Sequence, residues 1–315
     1  MLKTVFFGTP QVAVPFLEQL SELTQTALVI TQPDRPAGRG LALKPCAVKQ
    51  SAQKLALPVL SPEVFKDSVP QIAALKADLG LAVAYGKIFK KPALQAFKHG
   101  ILNIHFSLLP EYRGAAPVQQ ALFDGQSQTG ITIFWIDEGL DTGLIAAQKA
   151  VPILPQDDAA TLFPKLIETA KLLLPPLLAD IESGKITKTA QQGAPSHAPQ
   201  ISKESTLLSF GAMTAAQIHN KVRGLALGIP AYAKAQTLEG DLVQILKTRV
   251  LEPQNAPRQK APGQISAIES GLGFFVQCSE GSLLIEALRP AGKKTMAAAD
   301  YANGKKLAAG MLVFM

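Results

Sequence analysis

The chain has 315 residues, of which 47% are apolar and 17% charged, a balance that supports a buried core and excludes an intrinsically disordered protein. Its length predicts two domains. Residues 1–189 carry 18 basic and 16 acidic side chains, whereas residues 190–315 carry 13 and 8, and a local basic excess suits a polyanionic partner such as nucleic acid.

The opening MLKTVFFGTP meets Gly8, Thr9 and Pro10 too soon for a signal peptide, and no apolar run approaches the ~20 residues that span a bilayer. Two cysteines, Cys46 and Cys278, make neither a disulfide framework nor a cysteine metal centre. The expectation is a cytoplasmic protein with no membrane partner.

In chain order, KTVFFG and TALVITQ read as strands around PQVAVPFLEQLSEL, whose apolar residues recur at helical spacing. Thr9 before Pro10 is the predicted N-cap of that helix. Strand-like LPVLS, DLGLAVAYG, GILNIHF and GITIFWI then alternate with helix-like SVPQIAALKA and KPALQAFKHG. Such alternation predicts an α/β fold, a Rossmann-like, mostly parallel sheet flanked by helices.

A long helical pattern from Ala159 to Lys185 closes this part, and Pro164, Pro175 and Pro176 predict kinks or an early stop. TAQQGAPSHAPQISKEST is polar and without periodicity, so a linker is placed at residues 190–207 between a catalytic domain at 1–189 and a second domain at 208–315. Beyond it, MTAAQIHNKVRGL reads as a helix, followed by short strand-like runs parted by Gly and Pro. These predict a small, OB-like β-barrel.

Asn103 and His105 stand two apart on a strand, so both point to one side of the sheet, at the carboxyl end where open parallel sheets place their sites. A buried pair of this kind is more often plain hydrogen bonding than chemistry. GITIFWIDEGLDTG supplies a second segment, a strand ending in Asp137, Glu138 and Asp141 between Gly139 and Gly143. An aspartate beside a histidine can fix its tautomer, influence its charge and relay protons.

FFGTPQVAV lacks the glycine pattern of a dinucleotide loop, no phosphate-binding P-loop occurs, and His99, His197 and His219 form no metal-ligand spacing. QPDRPAGRGLALKP, with two arginines and a lysine, is too long and polar for a tight connection, so it is either a binding arm or plain surface.

Taken together, QPDRPAGRG, AYGKI, NIHFSLLPEYRGAAPVQQAL and DEGLDTG, in that order, resemble the methionyl-tRNA formyltransferase branch of the 10-formyltetrahydrofolate-dependent formyltransferase family. The match spans nearly the whole chain and includes the tail LRPAGKKTMAAADYANG, while KVRGLALGIPAY departs from the family by lacking its usual Asn-Pro-Trp-Pro.

The resemblance implies a catalytic set of Asn103, His105 and Asp141. Asn103 would donate an amide hydrogen bond to the oxyanion formed when an amine attacks the formyl carbon. His105, particularly as an imidazolium, would add a second donor, and Asp141 would orient or charge it. Ser107, Leu108, Leu109 and Pro110 would wall the folate pocket, with Arg113 and the Gly-Ala-Ala-Pro turn behind, and Tyr85 and Gly86 would bring backbone groups to the pterin. Arg39 and Lys44 would meet acceptor-stem phosphates, with Lys221, Arg223, Lys293 and Lys294 adding charge from the second domain. The implied partners are 10-formyltetrahydrofolate as formyl donor, tetrahydrofolate as product and initiator methionyl-tRNA; no metal is expected, and the chain is expected to act as a monomer. The alternatives are a formyltransferase for a small amine such as an amino sugar, and a folate- or RNA-binding protein without turnover.

Overall fold

Lys3–Gly8 lies inside a seven-stranded sheet whose order is Ile145–Pro152, Gln128–Trp135, Ile101–His105, Leu79–Val83, Lys3–Gly8, Gln25–Ile30 and Val59–Leu60. The computed structural model describes residues 1–37, 42–235, 242–251 and 260–314. Five strands pair in parallel, and Gln128–Trp135 pairs antiparallel to Ile101–His105. Lys3–Gly8, buried from Thr4 onward, and fully buried Leu79–Val83 have the largely apolar runs expected of strands covered on both faces.

By internal packing the chain divides into two units. The first comprises Met1–Gly114, Thr129–Pro152 and Pro164–His197, the second Ala115–Gln128, Ile153–Phe163 and Ala198–Met315. In the first, Phe7 meets Phe89 edge-on at 5.0 Å and also packs with Phe65, Tyr85 and Phe97.

Several local expectations change. Thr9 is not an N-cap: the helical region begins as a 3-10 turn at Gln11–Ala13 before Val14–Leu23, with Pro10 at the cap position. The Thr9 hydroxyl instead donates to the Tyr85 carbonyl at 3.5 Å and accepts from the Gln32 amide at 3.4 Å. Ala159–Glu182 is one unbroken 24-residue helix through all three prolines. Buried Leu162, Leu166, Ala170, Leu174 and Leu178 recur every fourth residue, and burying that stripe outweighs the lost backbone bonds. The helix expected over KPALQAFKHG shrinks to Lys91–Leu94.

Residues 190–207 hold no long element yet are hydrogen-bonded into their surroundings. His197–Ala198 pairs with Arg113–Gly114, and Glu204–Thr206 forms a 3-10 turn.

The second unit starts its main helix, Ala215–Gly224, with a complete capping box between Thr214 and Gln217. Helix Pro117–Phe123, opened by Pro117 as expected, packs on it so closely that a Cβ at Gly224 would stand 2.5 Å from the Phe123 ring. The antiparallel sheet runs Ala231–Lys234, Leu242–Val250, Ser282–Pro290, Gly273–Gln277 and Ile265–Glu269. Bridges from Phe314 to Ala235 and from Leu312 to Gln264 lay the C-terminal segment across its two edges and so close the barrel. Phe314 stacks on Phe210 at 5.1 Å inside.

Closure depends on Gly263, which has φ +82° and would set a Cβ 2.1 Å from the Phe314 carbonyl oxygen. Gly263→Ala is expected to destabilise the barrel by more than the roughly 1–2 kcal/mol of a left-handed alanine, because the closing segment must also move. Urea unfolding followed by Phe and Tyr fluorescence measures it.

Candidate functional site

Strand Ile101–His105 carries Asn103 and His105 on one face, half-buried and buried respectively. The Asn103 amide makes no side-chain hydrogen bond to another described residue, so its donors are available. His105 Nε2 lies 2.9 Å from the Tyr112 carbonyl oxygen. A carbonyl only accepts, so Nε2 carries the proton and Nδ1 is the exchangeable nitrogen.

Nδ1 stands 3.7 Å from Asp141 Oδ2, beyond a normal hydrogen bond. Burial pushes the His105 pKa below its usual value, with the Asp141 charge and the Tyr112 carbonyl pulling the other way. The resting ring is therefore neutral near pH 7, a protonation state that the sequence leaves open.

Asp141 reaches His105 from a loop built by close approaches. Asp137 accepts from the Gly139 amide at 3.0 Å and from the Thr142 hydroxyl at 2.6 Å. A Cβ at Gly143 would stand 1.7 Å from the Trp135 carbonyl oxygen, so only glycine lets the loop fold back on its strand. Asp141 itself has φ +53°, a region that aspartate tolerates better than most residues. Its Oδ2 accepts from the Gly114 amide at 2.8 Å, the first glycine of the Gly-Ala-Ala-Pro turn.

Ser107 to Pro110 forms a buried wall, with Leu108 half-buried and a cis bond between Leu109 and Pro110. Thr132, on the neighbouring strand, holds it. Its hydroxyl donates to the Ser107 carbonyl at 2.7 Å and accepts from the Leu109 amide at 3.0 Å and the Gln148 amide at 2.8 Å. Gln148 also donates to the Leu109 carbonyl at 3.0 Å. The main-chain groups of Leu109 are thus already satisfied, and the wall offers shape rather than hydrogen bonds.

Sequence reasoning missed Thr132, Gln148, Gln191 and Ser196. Gln191 Nε2 donates to the Asp141 and Gly143 carbonyls at 2.8 and 2.9 Å, and Gln191 Oε1 accepts from Arg113 at 2.6 Å. Ser196 Oγ accepts from the Tyr112 amide at 2.8 Å. Each sits in a polar or strand segment with no local signal, and its partners lie 16 to 84 residues away.

The remaining expected residues are scattered. The Tyr85 ring is buried among Phe7, Phe65 and Phe89, its hydroxyl pKa raised to about 12 by burial, and its carbonyl accepts from Gln32 at 2.8 Å. Gly86 is exposed, at φ +75°. Lys44 is exposed at the end of a two-stranded pairing of Arg35–Ala37 with Ala42–Lys44, and Arg39 lies outside the described residues. Lys293 and Lys294 are exposed. Lys221 and Arg223 have structural work: Lys221 donates to the Leu207 carbonyl at 3.0 Å, and Arg223 donates to the Pro155 and Asp157 carbonyls and to Asn220. Burial lowers the pKa of both, with Asp157 and Asp158 opposing it at Arg223.

Among the described residues no group of three or more His, Cys, Asp or Glu side chains could hold a metal ion, and no helix is long and apolar enough to cross a membrane.

Residues 2–178 match the family Formyl transferase and residues 200–306 match Formyl transferase, C-terminal domain. A methionyl-tRNA formyltransferase of Elusimicrobium minutum is 46% identical over 99% of this chain and 100% of its own length. One from Thermodesulfovibrio yellowstonii is 41% identical over 98% and 97%. Among solved structures, an N-formyltransferase of Helicobacter canadensis in complex with folinic acid and dTDP-3-aminofucose shares the fold, with TM-score 0.65, 19% identity, and coverage of 90% of this chain and 99% of that one.

Thr132→Val is expected to cost about 2 kcal/mol or more, since each orphaned buried group costs about 1–3 kcal/mol, whereas Thr132→Ser retains most stability; urea unfolding separates them. Buried His105 and half-buried His219 set a pH dependence. His105 is held low as described, and His219 falls to about 4, by burial first and Arg223 second, with Glu286 opposing. The unfolded chain therefore binds more protons, so their contribution is full above about pH 6.5 and is lost as pH falls through the folded values. Replacing both by glutamine is expected to flatten this part of the stability profile between pH 7 and 4.

Proposed function

We propose that this chain, which belongs to the formyl transferase family, moves the formyl group of 10-formyltetrahydrofolate onto the α-amine of initiator methionyl-tRNA. The substrate reading is supported by similarity along the full length of relatives that bear that activity in their names. The observation that carries the chemistry is the approach of His105 Nδ1 to Asp141 Oδ2 at 3.7 Å, on the same strand as an amide with no side-chain partner among the described residues.

The donor supplies an electrophilic formyl carbon when bound. Asn103 faces negative charge developing on the formyl oxygen with a free N–H donor, and losing one such donor typically costs ~10²-fold or more. His105 begins neutral and accepts the proton of the attacking amine at Nδ1, the nitrogen left open once Nε2 is committed to Tyr112; the bond from the formyl carbon to N10 then breaks, and a proton passes to N10 of the departing tetrahydrofolate. Asp141, anchored by the Gly114 amide, stabilises the imidazolium so formed. Ser107 to Pro110 excludes water and shapes one side of the folate pocket, with backbone contacts from the exposed turn at Tyr85 and Gly86. The ring of Tyr85 takes no part in this reading, since it is committed to the core.

The formyl-transfer part is read as residues 1–189, the connection as 190–207 and the tRNA-contacting barrel as 208–315, in a cytoplasmic monomer. Exposed Lys44, Lys293 and Lys294, together with Arg39, are the proposed phosphate contacts. Lys221 and Arg223, already engaged, add to the positive field more than they touch RNA. Affinity for tRNA is then expected to fall steeply as salt rises, and Lys293→Ala with Lys294→Ala to reduce that slope.

The deciding assay is transfer from 10-formyltetrahydrofolate to initiator methionyl-tRNA, elongator methionyl-tRNA and a nucleotide-linked amino sugar. Initiator tRNA is expected to be preferred, and His105→Ala and Asn103→Ala each to lower turnover by about 10²-fold or more with the fold intact. Preference for the amino sugar would replace the acceptor, and unchanged turnover in His105→Ala would remove the histidine from the mechanism.

A further inference from the structure

The SLLPEYRG wall and the DEGLDTG loop meet one side chain that belongs to neither. Gln191 directs both hydrogens of its amide at the acidic loop, onto the carbonyls of Asp141 at 2.8 Å and Gly143 at 2.9 Å. Its Oε1 accepts from Arg113 Nη2 at 2.6 Å. Arg113 Nε is buried with no partner, and the bond from Nη2 to Gln191 is the one side-chain bond this guanidinium makes among the described residues. One residue further along, the Gly114 amide donates to the Asp141 carboxylate, and two residues before it Tyr112 fixes His105. A single half-buried amide thus ties the main chain at and just after Asp141 to the segment that fixes the histidine.

That arrangement has a physical reason. Asp141 occupies φ +53° and Gly143 folds against the Trp135 carbonyl, a backbone course that costs free energy unless its surroundings hold it. The carboxylate has one anchoring amide and stands 3.7 Å from Nδ1, with no direct hydrogen bond to fix the spacing. Orientation of the loop must then come from its main chain, and carbonyls at 141 and 143 held by one rigid amide supply it.

We propose that Gln191 is a positioning residue for formyl transfer: it sets the separation of Asp141 from His105 by clamping the Asp141 and Gly143 carbonyls and linking them through Arg113 to the opposing wall. This rests on the assignment of Asp141 and His105 to the reaction made above. Gln191 touches neither reactant.

Two variants test it. Gln191→Ala removes every bond, whereas Gln191→Glu keeps the acceptor for Arg113 and removes the donors to the two carbonyls. Both are expected to lower kcat by about 10-fold to 10²-fold, the scale at which a ~1 Å misplacement acts, with little change in the KM for 10-formyltetrahydrofolate. Imidazole NMR titration of the free protein is the second readout. Around His105 the groups that bear on its charge are Asp141 and the Tyr112 carbonyl, so loosening Asp141 is expected to move the His105 midpoint downward in Gln191→Ala; the added carboxylate of Gln191→Glu pulls the midpoint upward by itself, so the titration is read in Gln191→Ala and kcat in both. A Gln191→Glu protein with parental kcat would overturn the proposal, since the clamp on the loop would then be dispensable. So would a fall in kcat with an unmoved His105 midpoint in Gln191→Ala. Should Gln191→Ala fail to fold, the near-isosteric Gln191→Glu decides by itself. The titration needs no substrate, so it judges the clamp even if the acceptor proves to be something other than methionyl-tRNA.

Discussion

The Tyr112 carbonyl accepts from His105 Nε2 at 2.9 Å, and because a carbonyl has no proton to give, the other ring nitrogen is left to exchange one. From that constraint the rest of the site takes its form. The exchangeable nitrogen faces Asp141, burial favours the neutral ring, and the nearby carboxylate pulls the other way. Tyr112 must in turn be held, which Ser196 does through its amide at 2.8 Å. The loop bearing Asp141 must be brought to the ring, which falls to glycines at 139 and 143 and to the Gly114 amide.

The wall from Ser107 to Pro110 follows the same logic of satisfied main chain. Thr132 uses its one donor and two acceptor sites on Ser107, Leu109 and Gln148, which leaves a buried hydroxyl with nothing unmet and a wall with few free polar groups. Specific hydrogen bonds to a ligand must then come from the exposed backbone or from Asn103.

Much of this was legible in the sequence. The β-α-β alternation gave the sheet because buried parallel strands are continuous apolar runs, and the two-residue spacing of Asn103 and His105 required a shared face. Local rules failed where long-range packing decided. Three prolines did not stop the helix Ala159–Glu182 because its apolar stripe was worth more than the missing bonds. Thr9 had the look of a cap, yet its hydroxyl is spent on Tyr85 and Gln32. Lys221 and Arg223 looked like free charge and are tied to carbonyls. Gln191 and Ser196 were invisible because a polar, aperiodic segment gives no hint of partners 50 and 84 residues away.

Helix Pro117–Phe123 follows the SLLPEYRG segment closely in the chain but packs with Ala215–Gly224, and Ile153–Phe163 likewise belongs with the second unit. The gene is therefore not modular at the point where its two family matches part company. A chimera that exchanged only the portion after residue 200 would seat a foreign barrel on native pieces it never evolved beside. A successful graft would have to carry residues 115–128 and 153–163 along with it.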